Sequence, residues 1–319
     1  MIKDLIKDKK NINISVVIPV YGCDKSLIEL HDRLAVTLKK IVKKYEIIFV
    51  DDCGPGNPWH LIKEISKINK SVVGVKLSRN FGQHAAIIAG LENSNGELLV
   101  VMDCDLQDQP EEIEGLYNAV LREETDIVFA KRTFRKDSLI KKTSSKLFYT
   151  LLGYLTETKI DSSVANFGIF NRKTIDAVLS MTEAHKYFPI MVRWVGFSSK
   201  SISTVHSNRL HDSSSYTFNS LVKLSLDVIM SFSNKPLKLI VRLGFMISFL
   251  SAFYAILIVI DVYISKTSVP GWSSVMVSIW FIGGMLMSIV GVVGLYVGKT
   301  FDESKSRPVF IVDEFVSSK

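Results

Sequence analysis

Cysteine is scarce in this chain. Only Cys23, Cys53 and Cys104 occur in 319 residues, and no two of them form a CxxC pair. So few exclude a disulfide-built scaffold and point to a reducing compartment. No ligand spacing around them supports a zinc site, and small apolar packing is the expected role of each. The N-terminus, MIKDLIKDKKNINIS, lacks an apolar core of the secretory kind, so no signal peptide is expected. A basic stripe interleaved with aromatics is also missing, so the net charge of +7 does not point to nucleic acid. Much of that surplus lies at 131–146 and 235–242, where an anionic lipid surface or a phosphorylated ligand is the better partner.

Apolar residues, by contrast, are plentiful, and the mean hydropathy is +0.24. The excess is concentrated after about residue 240. Two stretches, 243–264 and 275–298, each have the length needed to span hydrocarbon. Lys235, Lys238 and Arg242 precede the first and Lys299, Lys305 and Arg307 follow the second, whereas the joining loop holds only Lys266. Positive flanks stay inside, which predicts a multi-pass protein of the cytoplasmic membrane with its large domain and its tail in the cytoplasm. Small residues in the second stretch (Gly283, Gly284, Gly291, Gly294) suit helix association, either in a homo-oligomer or between the two spans of one chain.

Before residue 133 the pattern alternates. Short β-branched runs, ISVVIPV (14–20), EIIFVDD (46–52), SVVGVKLS (71–78), GELLVVMDCD (96–105) and TDIVFAKR (125–132), are separated by amphipathic stretches. That predicts βαβ units and a mostly parallel α/β sheet, with TDIVFAKR extending it. In such sheets ligands bind at the carboxyl ends of the strands. The polar residues gather at those ends: Tyr21, Asp51 with Asp52, Ser78-Arg79-Asn80, and Asp103 with Asp105. An apolar strand ending in two carboxylates suits a divalent cation shared with phosphate oxygens, since Mg²⁺ takes one or two carboxylates and leaves the rest of its shell to water and phosphate. Further on, 137–155 reads as helical and basic, 166–171 as a strand, and 217–232 as a helix lying on a membrane surface. His84 reads as a helix-surface residue, and Trp194 as a core-edge one.

These runs carry a resemblance. VVIPVYG (16–22), IIFVDD (47–52), LSRNFGQHAAIIAGL (77–91) and VVMDCDLQDQPEEI (100–113) resemble the nucleotide-binding half of the family 2 glycosyltransferases. SRNFG, DLQDQPE and SSYTF (214–218) make the chain similar to the polyprenyl-phosphate sugar transferases in particular, the branch of dolichol-phosphate mannose synthase and bactoprenol glucosyltransferase. The resemblance implies a Rossmann-like, A-type nucleotide-sugar domain over 1–210, an interfacial segment over 211–242, a two-helix transmembrane anchor over 243–298 and a cytoplasmic tail over 299–319. It implies transfer, with inversion, of a hexose-type sugar from a nucleoside-diphosphate sugar, with a lean to uridine, onto a polyprenyl phosphate, using Mg²⁺ or Mn²⁺.

Position by position, Pro19 and Tyr21 would line the base and Asp51 would read it with Asp52 beside it. Arg79 and Asn80 would support the donor pocket. Asp103 would meet the sugar or ribose side as well as the metal, Asp105 the metal, and Gln107 the transferred sugar. Arg132, Arg135, Lys141 and Lys142 would face the acceptor or the diphosphate. The three cysteines, beside Tyr21, Asp52 and Asp103, are expected within or near that pocket. Ala165-Asn166-Phe167-Gly168-Ile169 departs from a GDFRL-like segment of relatives, and Cys53 replaces a glycine in VDDGS. Arg193-Trp194 lacks the glutamine of a QxxRW pattern, since Ile190 stands there, and two spans are too few for a translocation channel. An oligosaccharide or surface-polymer acceptor, and a non-catalytic membrane scaffold, are the competing readings.

Overall fold

The computed structural model describes residues 12–132, 164–183, 186–205, 233, 235–265 and 271–317. Four β-branched runs become parallel strands: β1 (Ile12–Val20), β2 (Tyr45–Asp51), β3 (Val72–Leu77) and β4 (Gly96–Val101). β1 lies between β2 and β4, with Val17 opposite both Ile48 and Val101. Strands covered on both faces read as continuous apolar runs, and every residue of β2 is buried.

The helices between them present apolar stripes to the sheet. α1 (Asp24–Ile41) buries Leu27, Leu30, Leu34 and Leu38, a spacing that falls on one helical face. α2 (Pro58–Ile68) buries Trp59, Ile62 and Ile65. α3 (Gln83–Glu92) is buried continuously from Ala85 to Leu91. It lies so close to the sheet that a Cβ on Gly90 would meet Val17 Cγ1 at 2.3 Å. α4 (Glu112–Glu123) follows the loop after β4.

Beyond β4 the sheet is no longer parallel. β5 (Ile127–Arg132) does not extend it beside β4 as the alternation predicts. β6 (Val164–Asn171) inserts between them, antiparallel to both, with Gly168 facing Val101 and Phe129. Helices α5 (Arg172–Leu179) and α6 (Phe188–Trp194) follow, and β7 (Ser199–Thr204) pairs parallel with β5. The final order is β7-β5-β6-β4-β1-β2-β3-β8.

The last strand lies within the expected tail. Val312–Ser317 forms β8, antiparallel to β3 with Gly74 opposite Val316. Its alternation is short and interrupted by two acids, so it carries little strand signal alone; pairing with an open edge and ion pairs supply what propensity does not. Lys76 reaches Asp313 at 3.0 Å and Glu314 at 3.1 Å, while Lys63 of α2 reaches Glu314 at 2.5 Å.

At the amino ends of the strands sits a buried polar cluster. Ser15 Oγ donates to Glu46 Oε1 at 2.6 Å and accepts Gly96 N–H at 2.7 Å, and Asn95 N–H also donates to Glu46. Arg172 caps it through the Gly96 carbonyl.

The chain divides into two compact units, one made of β1–β7 with β8, the other of helices α7 (Lys235–Ser265) and α8 (Trp272–Ser304). These helices contain both expected apolar stretches. Among the described residues one segment, Phe281–Ser304, is long and apolar enough to cross a bilayer. The expected basic helix at 137–155, the interfacial helix at 217–232, SSYTF, Arg135, Lys141 and Lys142 lie outside the described residues.

Candidate active site

The carboxyl ends of β1, β2, β3 and β4 deliver their next residues to one edge of the sheet. β1 ends at Val20, so Tyr21 is the first residue beyond it, and it is 54% exposed. Pro19 is buried opposite Val50. β2 ends in Asp51, which is 3% exposed, with Asp52 next. The two loops touch through main chain: a Cβ on Gly54 would stand 2.5 Å from the Gly22 nitrogen.

The two neighbouring carboxylates have different work. Asp52 accepts Phe81 N–H at 2.7 Å and Gly82 N–H at 2.9 Å, one on each oxygen. It therefore ties the end of β2 to the loop that starts α3. Asp51 has an oxygen, Oδ1, that is buried without a partner. Burial raises the pKa of both carboxyls above the ordinary range, opposed at Asp52 by those two N–H groups.

The loop after β3 is built for this role. Asn80 Oδ1 accepts Gly82 N–H at 2.9 Å, and Gly82 takes φ +93°, which only glycine adopts without strain. The Arg79 guanidinium stacks 4.6 Å over Phe81. From the first position of α3, Gln83 Nε2 reaches across to Asp103 Oδ1 at 2.7 Å. Sequence reasoning missed Gln83; SRNFGQ contains it, but only the fold shows that it faces the end of β4.

After β4 comes Asp103-Cys104-Asp105. Gln107 meets Asp105 through its backbone, N–H donating to Asp105 Oδ1 at 3.1 Å. Leu106 between them holds φ +60°, and Cys53, just after Asp52, holds φ +51°. Left-handed backbone at non-glycine residues costs on the order of 1 kcal/mol each and gathers at functional loops. Both instances here directly follow a carboxylate.

Cysteine chemistry departs from the expected packing role. Cys23 and Cys104 form a disulfide, with Cα atoms 6.1 Å apart. The parallel pairing of β1 with β4 delivers these two residues, 81 positions apart, to the same place, and no sequence count can show that. Ser26 Oγ adds a bond to the Cys104 carbonyl at 2.7 Å. Cys53 is free and donates to the Leu77 carbonyl. His84, expected on the surface of α3, is half-buried: its ring stacks edge-on against Tyr187, Nδ1 is buried without a partner, and burial lowers its pKa to about 4. Trp194, expected at the core edge, is 67% exposed.

Arg132 closes β5 opposite Thr204, one strand away from β6. Ala165 and Asn166 lie in β6, which runs antiparallel to β4 from the end where Asp103 sits.

Asp103 and Asp105 are the residues at this edge that would hold a divalent cation. Among the described residues no three His, Cys, Asp or Glu gather around one point. Two carboxylates suffice for Mg²⁺ or Mn²⁺ bound to a diphosphate, and Asp103 and Asp105 stand on one strained loop with Gln83 orienting the first.

A parallel sheet with carboxylates gathered at its strand ends is compatible with a sugar transferase, and residues 15–179 match Glycosyl transferase family 2, to which this chain belongs. Its relatives include an uncharacterized glycosyltransferase of Bacillus subtilis, YkcC, 33% identical over 96% of this chain and 94% of the relative. Another is the undecaprenyl-phosphate 4-deoxy-4-formamido-L-arabinose transferase of Proteus mirabilis, 29% identical over 96% of this chain and 94% of its own. In fold it is similar to glucosyl-3-phosphoglycerate synthase of Mycobacterium tuberculosis, solved with Mn²⁺, UDP and phosphoglyceric acid. That likeness has a TM-score of 0.50 at 18% identity, covering 70% of this chain and 78% of the other.

Proposed function

We propose that this glycosyltransferase moves one hexose-type sugar from a UDP-linked donor to a polyprenyl phosphate at the cytoplasmic face of the membrane. The observation that carries the acceptor is the extent of one likeness: the Proteus mirabilis transferase, named for undecaprenyl phosphate, aligns over 96% of this chain, α7 and α8 included. Helix α7 has 31 residues and α8 has 33, so each rises about 46–50 Å, more than the hydrocarbon thickness. In this reading they form a two-helix anchor that keeps the site beside a substrate too apolar to leave the bilayer.

Each residue then has a task. Asp51, with its unpartnered buried oxygen, accepts an imide N–H of the base, which Tyr21 and Pro19 flank. Arg79 and Asn80 support the donor pocket. Asp103 and Asp105 would hold a divalent cation, which would neutralise the departing diphosphate. Gln107 would border the sugar, and Arg132 would serve the anionic acceptor or the diphosphate. A lipid phosphate is already ionised at neutral pH, so orientation and charge stabilisation matter more than a general base. In-line attack on the anomeric carbon inverts it.

The test is a membrane assay with polyprenyl phosphate, Mg²⁺ and a panel of labelled nucleotide sugars. Label should enter the organic phase from one donor as a one-sugar lipid monophosphate, and EDTA and Asp105→Asn should each abolish it. Transfer only to a lipid-linked oligosaccharide would overturn the acceptor; an active Asp105→Asn would overturn the role of the acidic pair.

A further inference from the structure

The Asp103 carboxylate, which in the donor-site reading meets metal and donor, accepts a hydrogen bond from an uncharged side chain. Gln83 Nε2 donates to Asp103 Oδ1 at 2.7 Å from the first residue of α3. The main chain just before it, Phe81 and Gly82, is locked by both oxygens of the 3%-exposed Asp52. Asn80 Oδ1 closes the same turn on Gly82 N–H, and the glycine conformation there directs the chain into α3. A connected path therefore runs from the end of β2, through the α3 start, to the end of β4.

We infer that Gln83 is a positioning residue for Asp103 and that Asp52 acts through it, rather than touching the donor. This deepens the donor-site reading above and rests on it. The chemistry of the side chain supports the assignment. A lysine or arginine in this place would fix Asp103 equally well but would neutralise the charge that a cation needs. A glutamate would repel it. A carboxamide fixes one oxygen by hydrogen bonding and adds no charge. Burying Asp52 is unfavourable in itself, and the two N–H bonds that offset it are both spent on this loop.

The test uses the full chain in detergent or nanodiscs and reads binding rather than lipid transfer. UDP affinity is measured with and without Mn²⁺ for wild type, Gln83→Leu and Asp52→Asn. For Gln83→Leu the metal-free affinity should stay within about twofold, whereas the gain conferred by Mn²⁺ should fall on the order of tenfold, the usual effect of removing a partner behind a metal ligand. Asp52→Asn keeps its size but can no longer accept both N–H groups, and should lower the same gain with a smaller effect on metal-free binding. A loss of metal-free and metal-assisted affinity in equal measure would mean that Gln83 merely holds the fold. An unchanged Mn²⁺ response would sink the positioning role while leaving the donor reading intact. No nucleotide binding by wild type would sink both.

Discussion

At the scale of single residues, the site is paid for in stability, and Asp51 shows where. Its carboxyl is buried with one oxygen unpartnered, and burial raises its pKa. A carboxyl whose folded pKa is raised favours the fold below its unfolded value near 3.8, and that contribution is lost as pH rises through the folded pKa. At neutral pH the ionised group therefore opposes folding. Asp51→Asn should raise the melting temperature of the ligand-free protein at pH 7, with the difference vanishing below about pH 4. The same change should weaken nucleotide binding by about 10–100-fold, the worth of a hydrogen bond to a charged group. His84 works in another window. Its folded pKa of about 4 lies below the unfolded value of 6.5, so the unfolded chain takes up a proton that the folded one refuses. Stability should fall as pH drops from about 6.5 to 4, and thermal melts of His84→Leu across that range should show a flatter slope than wild type.

Among the elements, legibility in the sequence followed burial. The parallel core β1–β4 was readable because strands covered on both faces become uninterrupted apolar runs, and the residues just beyond them could be named as one edge. β6 was readable as a strand but not by its neighbour, since nothing in Val164–Asn171 says that it inserts beside β4. Gln83 and the Cys23–Cys104 bond were not legible at all, because both join the ends of different strands. The bond closes a loop of 81 residues. Chain entropy assigns such a crosslink about 4 kcal/mol, acting on the unfolded state. Dithiothreitol or Cys23→Ser should lower the melting temperature by about 10 °C for a unit of this size, and Cys53→Ser should not reproduce the fall. If reduction leaves the melt unchanged, the crosslink does not form in solution.

For the whole molecule, the returning strand β8 means that the catalytic unit is not a continuous stretch of sequence. A cut after about residue 210 would look natural from hydropathy, yet it removes β8 and bares the edge of β3. Deleting residues 307–319 should lower the melting temperature of the catalytic unit by roughly 5–10 °C and promote self-association, since an open apolar edge is a template for pairing. Sedimentation and scanning calorimetry of the truncated protein would check both. The same geometry sets an order on biosynthesis. Strands β1–β7 leave the ribosome first, and the edge of β3 then stays open while both apolar helices are made. Only the final residues close it. Among the described strands, β8 can join the sheet only after the chain's apolar helices have been synthesised.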